Sequence, residues 1–132
     1  MGGKPLAWIV DDDDEMNQAV RLMLELLGYD VETYLDARGA VPTLLSGAGP
    51  EVIVLDINMP EVSGLDMLEF VRRRSDLNNV AVVMLSTETA DVKVDEAVEL
   101  GADGFVFKPV TLDELEEAIN KAVAARRSPF VS

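Results

Sequence analysis

The chain has 132 residues, a length that fits one domain, and 48% of them are hydrophobic, which is enough to form a buried core. It contains no cysteine and no histidine, which excludes disulfides, thiolate chemistry and nucleophilic sites that pair serine or cysteine with histidine. The net charge of −14 disfavours binding to nucleic acid and to anionic lipid.

The sequence contains no sign of a membrane segment or of export. No apolar run reaches the length of about 18 residues that a membrane-spanning helix needs. The N-terminal segment MGGKPLAWIV carries one lysine, and its apolar run ends at Asp11, so it lacks the long apolar region of a secretory signal. We therefore expect a cytoplasmic protein.

Five short apolar runs predict five strands. In chain order they cover residues 6–10, 31–35, 52–56, 80–86 and 104–107. The first, third and fourth runs are almost continuously hydrophobic, which is typical of strands that are buried on both faces of a parallel sheet. The pattern therefore favours an α/β fold in which helices cover both faces of the sheet.

Helical patterns alternate with these strands, and glycines mark several of their ends. Apolar side chains recur three and four residues apart from Met16 to Leu27, and Gly28 follows at a position typical of a helix end. The third helix is predicted to begin at Gly64, and the fourth to end at Gly101.

The sequence pattern predicts the second helix least clearly and the fifth helix most clearly. Residues 37–46 form the second helical pattern, but Pro42 lies inside this range and should break or restart the helix. In the fifth helix, Thr111 and Glu114 form a capping-box pattern that precedes an apolar stripe. The resulting order is (βα)5, with right-handed crossovers between parallel strands.

Chemically useful side chains stand at the ends of four of the predicted strands. The acidic run DDDDE at residues 11–15 follows the first strand, Asp56 ends the third, Ser86 ends the fourth and Lys108 follows the fifth. Ligands bind outside the carboxyl ends of the strands in such folds, so these groups can share one crevice. Crowded carboxylates would raise one another's pKa, and Mg²⁺ would relieve that repulsion.

Each of these groups also has an ordinary structural explanation. The acidic run could cap the first helix, and Asp56 could be a polar residue at a strand end. Ser86 could bond to the backbone, and Lys108 could be solvated. A cap needs only one or two carboxylates, however, and the four groups are chemically complementary, so we favour the hypothesis of a shared site.

Carboxylates, a hydroxyl and an amine together fit phosphoryl transfer. Asp56 is the best candidate for a nucleophile that forms an acyl phosphate. Lys108 and Mg²⁺ would supply positive charge, Ser86 would donate a hydrogen bond to a phosphoryl oxygen, and the backbone carbonyl of Asn58 would face the metal. Because the chain has no histidine to carry a phosphoryl group, the donor must be another molecule.

The sequence resembles the receiver domains of two-component response regulators, the CheY-like domains. The resemblance covers residues 5–125 and rests on VDD at 10–12, LDINMP at 55–60, MLST at 84–87 and GADGFVFKP at 101–109. It implies a flavodoxin-like, doubly wound fold with five parallel strands in the order 2-1-3-4-5. A short tail over residues 126–132 would follow this domain.

The resemblance also implies roles for individual residues. Asp56 is the implied phosphoacceptor, Lys108 the phosphate-binding lysine, Ser86 the switch hydroxyl and Phe105 the switch aromatic. The implied Mg²⁺ ligands are Asp11 (partly through water), Asp12, Asp56 and the backbone carbonyl of Asn58. The implied function is phosphorelay signalling, and the only reactions that the chain would catalyse are its own phosphorylation and dephosphorylation.

Partners are implied in the same way. A sensor histidine kinase or a phosphotransfer protein would donate the phosphoryl group. The surface formed by the fourth helix, the fifth strand and the fifth helix would then bind a downstream protein. We expect no direct contact with nucleic acid or with a membrane, and a weak homodimer through the fourth and fifth helices is left open.

Some positions depart from the common family pattern or lie where the family varies. Thr87 stands where a small residue is common, and its bulk could slow access to the phosphoryl site. Phe105 lacks the hydroxyl of the common tyrosine. Asn58 and Glu88 lie at positions that tune the lifetime of the phosphoryl group in the family.

Two other functions agree with parts of the sequence. A haloacid-dehalogenase-type phosphatase also begins with a strand and an Asp-x-Asp pattern, which Asp11 and Asp13 match, but Glu15 and the absence of a later acidic pair depart from that family. A pseudo-receiver would bind partners without phosphorylation, yet such proteins usually lack an acidic, hydroxyl or lysine group that is present here. The roles of Asp13 and Asp14 are open in the receiver hypothesis.

Overall fold

The structure is a computed structural model that describes residues 3–47, 49–59, 61–87 and 91–127, with the backbone alone described at 91–93 and 127. Of the residues discussed above, Pro60, Glu88 and the tail segment 128–132 lie outside these ranges.

The described residues form one five-stranded parallel sheet. Its strands are β1 (Leu6–Val10), β2 (Asp30–Tyr34), β3 (Val52–Asp56), β4 (Ala81–Ser86) and β5 (Gly104–Phe107). The order across the sheet is β2-β1-β3-β4-β5, and every neighbouring pair is parallel. The predicted fold class and strand order are therefore confirmed. Three strands have the predicted bounds, β2 lies one residue earlier, and β4 begins one residue later.

Helices alternate with the strands. They are α1 (Asp14–Leu26), α2 (Ala37–Leu45), α3 (Gly64–Arg73), α4 (Asp91–Leu100) and α5 (Leu112–Arg127), and a short 3-10 turn (Ser75–Leu77) follows α3. Gly28 and Gly101 lie just past α1 and α4 with φ angles of 98° and 105°, where glycine is favoured. Thr111 accepts a hydrogen bond from the backbone N–H of Glu114 at 3.2 Å, as the capping pattern predicts. Within the described part of the chain, no helix has the length and apolar character needed to cross a membrane.

The prediction that Pro42 breaks the second helix is wrong, because α2 continues through it. Proline lacks the N–H that would bond to the carbonyl four residues earlier, so the helix loses one backbone hydrogen bond. Asp36 caps the helix by accepting a hydrogen bond from the Gly39 N–H at 2.8 Å. Ala40 and Leu44 are buried in the core. The cap and the burial stabilise α2 despite the missing bond.

Two hydrophobic clusters, one on each face of the sheet, pack the helices onto the strands. Successive residues of a strand point to opposite faces. Trp8 and Ile53 lie in the cluster with α2, α3 and α4, whereas Ile9 and Val54 lie in the cluster with α1 and α5. Strands β3 and β4 are buried along their whole length, as their continuous apolar runs predict.

A buried ion cluster lies at the amino-terminal edge of the sheet, where it joins α3, α5 and the segment before β5. Asp103 pairs with Arg72 at 2.6 Å and with Arg126 at 2.9 Å. The Asp103 carboxylate also accepts a hydrogen bond from the Val82 N–H at 2.9 Å. The side chain of Asp103 is only 7% exposed, so its charge is balanced almost entirely by protein groups. We call these three charged residues the Asp103 cluster.

Candidate functional site

The register of the sheet brings the carboxyl ends of four strands to one edge. β1 and β3 are adjacent, so Asp11, which follows β1, lies beside Asp56, the last residue of β3. The backbone N–H of Lys108 donates to the carbonyl of Ser86 at 2.8 Å, which fixes the residue after β5 against the end of β4. The predicted convergence of these segments is therefore present.

Three carboxylates meet at this edge. Asp11, Asp12 and Asp56 each offer an oxygen, and these oxygens all lie within 4.8 Å of one another. Asp11 and Asp56 are buried, with exposures of 0% and 3%, whereas Asp12 is exposed. We call these three residues the acidic triad. Two of its charges are thus held away from water, where mutual repulsion is stronger.

Lys108 supplies a cation next to the acidic triad. Its Nζ lies 3.1 Å from Asp11 Oδ2 and 3.5 Å from Asp56 Oδ1. Its side chain is only 16% exposed. One ammonium group therefore bridges the two buried carboxylates, and the third carboxylate remains at the solvent side.

The electrostatics of the site show that this single cation does not balance the triad. Burial, together with the charges of Asp11 and Asp12, raises the pKa of Asp56 to about 6, although Lys108 acts in the opposite direction. Burial also raises the pKa of Asp11, against the lowering effects of the Asp13 N–H and of Lys108. Burial alone would lower the pKa of Lys108, but its contacts with Asp11 and Asp56 outweigh burial and raise it.

The residues present fit a hard divalent cation such as Mg²⁺. Carboxylate oxygens are the ligands that Mg²⁺ prefers, and it commonly binds one or two of them together with waters and phosphate oxygens. Asp11 Oδ2 is buried and has no hydrogen bond within the described part of the chain, although the Lys108 ammonium lies 3.1 Å away. A second cation at the triad would reduce the repulsion between the carboxylates, which contributes to the raised pKa of Asp56.

The remaining predicted site residues lie on the same strands or just beyond them. Ser86 is buried at the end of β4, with 1% exposure. Phe105 lies inside β5, paired with Met84, and packs partly buried against the cluster that contains α3 and α4. Asn58 and Thr87 are exposed just past β3 and β4. Their functional roles stay predictions.

The match to known families agrees with this geometry. The model of the response regulator receiver domain matches residues 7–120. The chain belongs to this family. Receiver domains act in two-component signalling, in general as signalling modules that are not enzymes.

Solved structures of other receivers have the same fold. The Vibrio cholerae chemotaxis protein CheY4 is 32% identical, with a TM-score of 0.82 over 91% of this chain and 99% of that one. The receiver domain of the Francisella response regulator 1452 is 26% identical, with a TM-score of 0.79 over 92% and 98% of the two chains. A receiver domain protein from Clostridium thermocellum is also 26% identical, with a TM-score of 0.82 over 93% and 97%.

Asn17, which the sequence patterns did not single out, holds the backbone beside the acidic triad of this receiver. Its buried side-chain amide donates to the carbonyl of Asp11 at 2.9 Å and to the carbonyl of Tyr34 at 3.2 Å. Asn17 thereby ties the ends of β1 and β2 to α1. A signal was present, because Asn17 lies three and seven residues before Val20 and Leu24 and so shares their buried helix face.

The structure also answers the open question about Asp13. Its Oδ1 accepts hydrogen bonds from the backbone N–H groups of Glu15 at 3.0 Å and Met16 at 3.4 Å, so Asp13 is the N-cap of α1. Asp14 lies exposed in the first turn of the helix, where a negative charge is favoured. The acidic run therefore divides into a triad part and a helix-capping part.

Gly64 contributes to the site through its lack of a side chain. A Cβ at this position would overlap the backbone carbonyl oxygen of Asp56. The N–H of Gly64 donates to the carbonyl of Ile57 at 3.0 Å. Glycine thus lets α3 begin directly against the residues that carry the Asp56 carboxylate.

Proposed function

We propose that this receiver accepts a phosphoryl group on Asp56 from a phosphohistidine of a sensor kinase or phosphotransfer protein. The observation that supports this most directly is the position of the Asp56 carboxylate, next to Asp11, Asp12 and Lys108 at the carboxyl edge of the sheet. The proposal includes residues 5–125 as the functional domain and the cytoplasm as its location.

The proposed reaction is an in-line displacement at phosphorus. A carboxylate oxygen of Asp56 forms the new bond, the bond between phosphorus and the partner's imidazole nitrogen breaks, and its electron pair leaves with the imidazole. Lys108 lies 3.5 Å from Asp56 Oδ1, so its ammonium can neutralise charge on the transferred group. Ser86 would donate a hydrogen bond from its hydroxyl to a phosphoryl oxygen.

Mg²⁺ would be held by Asp11, Asp12 and Asp56, with the backbone carbonyl of Asn58 as a further ligand. When bound, it would supply positive charge that stabilises the phosphoryl oxygens in the transition state. Asn17 and the Asp13 N–H support this arrangement, since they fix the carbonyl and the Oδ1 atom of Asp11, respectively.

We propose that Ser86 and Phe105 turn phosphorylation into a change of surface. A phosphoryl group adds about −1.5 to −2 units of charge together with strong hydrogen-bond acceptors, which would draw the Ser86 hydroxyl toward Asp56. Phe105 packs only partly buried, so it can turn into the space that Ser86 leaves. The α4–β5–α5 surface would then favour a conformation that binds a downstream protein.

Treatment with acetyl phosphate and Mg²⁺, followed by intact mass spectrometry, tests the phosphoacceptor. We expect the added mass of one phosphoryl group on the wild type, none on Asp56→Asn, and a label that maps to Asp56. A label on Asp11 would instead support the phosphatase alternative. No labelling and no response to Mg²⁺ or beryllofluoride would support a pseudo-receiver.

The switch is tested separately with Ser86→Ala. This variant should still be phosphorylated, because the acidic triad and Lys108 are unchanged, but its affinity for the downstream partner should no longer depend on phosphorylation. Equal affinity of the phosphorylated and unmodified wild type would contradict the switch while leaving the phosphoacceptor proposal intact.

A further inference from the structure

A groove of about 350 Å³ lies between α2 and α3. Most of its lining is apolar and comes from the side chains of Ala37, Val41, Pro42, Val62, Met67 and Phe70. Ala37 and Met67 are only 1% exposed and belong to the hydrophobic cluster on this face of the sheet. Val41, Val62 and Phe70 are partly exposed, so the groove leads from the solvent to the edge of the core. We call it the α2–α3 groove.

Two charged residues, Arg38 and Asp66, also line the α2–α3 groove, and both already interact with other groups of the protein. Arg38 forms an ion pair with Glu61 at 2.6 Å. Asp66 lies in the first turn of α3, where a negative charge is favoured, and its carboxylate accepts a hydrogen bond from the Ser63 N–H at 3.2 Å. Neither residue therefore requires a charged ligand.

Other grooves on the molecule have a more acidic lining. Three further grooves of the described residues are each lined by at least two carboxylates, for example Glu96 and Glu99 in the groove between α3 and α4. Among the residues that the structure describes, the α2–α3 groove is lined by one carboxylate, that of Asp66. A mostly apolar groove thus stands open in a chain with a net charge of −14. Contact of its apolar surface with water is unfavourable, and a bound molecule would remove that contact.

We infer that the α2–α3 groove binds a small, uncharged aromatic molecule. The volume of the groove lies in the range of about 300–1,000 Å³ that is common for small-molecule sites, and such sites are mostly apolar. An aromatic ring would pack against the part-exposed ring of Phe70 and the apolar side chains around it. A charged molecule would lose its hydration here without gaining a partner of opposite charge.

The same lining argues against a polypeptide as the occupant, including a second copy of this chain. The backbone of a polypeptide carries N–H and C=O groups, which must keep hydrogen bonds when water is removed from them. The apolar side chains of the groove offer no such bonds, and the side chains of Arg38 and Asp66 already have partners. A small aromatic molecule has few polar groups and therefore loses less when it binds.

Fluorescence titration of the unmodified protein with N-phenylnaphthylamine tests the inference, because this uncharged aromatic dye becomes brighter in an apolar site. Anilinonaphthalene sulfonate is the matched control, since it has the same rings and adds one sulfonate. We expect saturable binding of one uncharged dye molecule per chain, with an affinity at least about fivefold higher than that of the sulfonated dye.

Two variants of α2 locate the binding site. Val41→Phe fills the groove with a larger side chain, whereas Leu45→Phe changes an exposed apolar residue of the same helix outside the groove lining. We expect Val41→Phe to weaken binding of the uncharged dye about tenfold or more, and Leu45→Phe to change it less than about twofold. Urea denaturation shows whether both variants are folded. If Val41→Phe is not, Val41→Thr keeps the shape of the side chain, adds a hydroxyl and should weaken binding about threefold.

Four results would overturn the inference. The first two are equal affinities for the two dyes and equal effects of the variants at Val41 and Leu45. The third is tighter binding of an uncharged phenylalanine-containing peptide than of the dye, which would indicate a polypeptide occupant. The fourth is a dimer in sedimentation that Val41→Phe dissociates, which would indicate a second copy.

Discussion

The two edges of the sheet both bury carboxylates beside cations, but they balance the charges differently. At the amino-terminal edge, one carboxylate, Asp103, accepts from two arginines and a backbone N–H. At the carboxyl edge, the ammonium group of Lys108 contacts Asp11 and Asp56, and Asp12 adds a third carboxylate to the acidic triad. The first arrangement is saturated with donors, whereas the second has an excess of negative charge.

This difference separates a structural charge cluster from a functional one. The Asp103 cluster joins segments that are distant along the chain, and its one carboxylate is paired with two arginines. At the acidic triad, burial together with the charges of Asp11 and Asp12 raises the pKa of Asp56 to about 6, although Lys108 acts in the opposite direction. Such an excess destabilises the site unless a cation binds, and it is therefore the feature that indicates a ligand.

Removal of the Asp103 charge should have the largest effect on stability. Asp103→Asn keeps the size of the side chain but leaves Arg72 and Arg126 without their counter-ion in a buried position. We expect the free energy of unfolding to fall by about 3 kcal/mol, measured by urea denaturation. Glu25→Gln, which removes the exposed ion pair with Arg21, is the matched control and should cause only a small change. Equal losses in the two variants would show that the Asp103 cluster is not structural.

Removal of the Asp56 charge should instead increase the free energy of unfolding at a pH above the Asp56 pKa. The folded-state pKa of Asp56 is raised from 3.8 to about 6, so ionisation of Asp56 costs stability as the pH rises from about 4 through 6. Without metal, Asp56→Asn should therefore be more stable than the wild type by about 2 kcal/mol at pH 8 and nearly equal to it at pH 4. Urea denaturation in the presence of a chelator measures both values.

The same pair of proteins tests the cation. At pH 8, Mg²⁺ should reduce the difference in the free energy of unfolding between Asp56→Asn and the wild type. The reason is that Mg²⁺ offsets the repulsion of the Asp56 charge, which only the wild type has. Two outcomes would contradict the inference that excess negative charge at the acidic triad lowers stability and is relieved by a cation. One is that the two proteins are equally stable without metal, and the other is that Mg²⁺ leaves their difference in stability unchanged.

Loss of the α1 cap should have the smallest of these effects. Asp13→Ala removes the acceptor for the N–H groups of Glu15 and Met16 and should lower the free energy of unfolding by about 1 kcal/mol. Mg²⁺ should raise the melting temperature of Asp13→Ala by as much as it raises that of the wild type. A smaller rise would instead place Asp13 among the groups that bind the cation.

Residue patterns along the chain predicted the (βα)5 order and most of the candidate site, and the resemblance to receiver domains supplied the strand order. Continuous apolar runs marked the buried strands, and Gly28 and Gly101 marked helix ends, because backbone conformation and burial follow local sequence. The rule that ligands bind at the carboxyl ends of parallel strands then predicted that Asp56, Ser86 and Lys108 converge. The structure places all three at that edge, as predicted.

Tertiary structure determined the contacts between residues that lie far apart along the chain, which local sequence patterns do not predict. Asp103 pairs with arginines 31 and 23 residues away, and no periodicity along the chain connects such positions. Asp12 and Asp13 are identical neighbours in the acidic run, so the run by itself did not distinguish their roles. In the structure, the Asp12 carboxylate lies near Asp56 at the end of β3, whereas Asp13 caps α1. Pro42 stays helical because the core packs the helix around it. In each case the outcome depends on which distant groups become neighbours, and only the packed chain determines that.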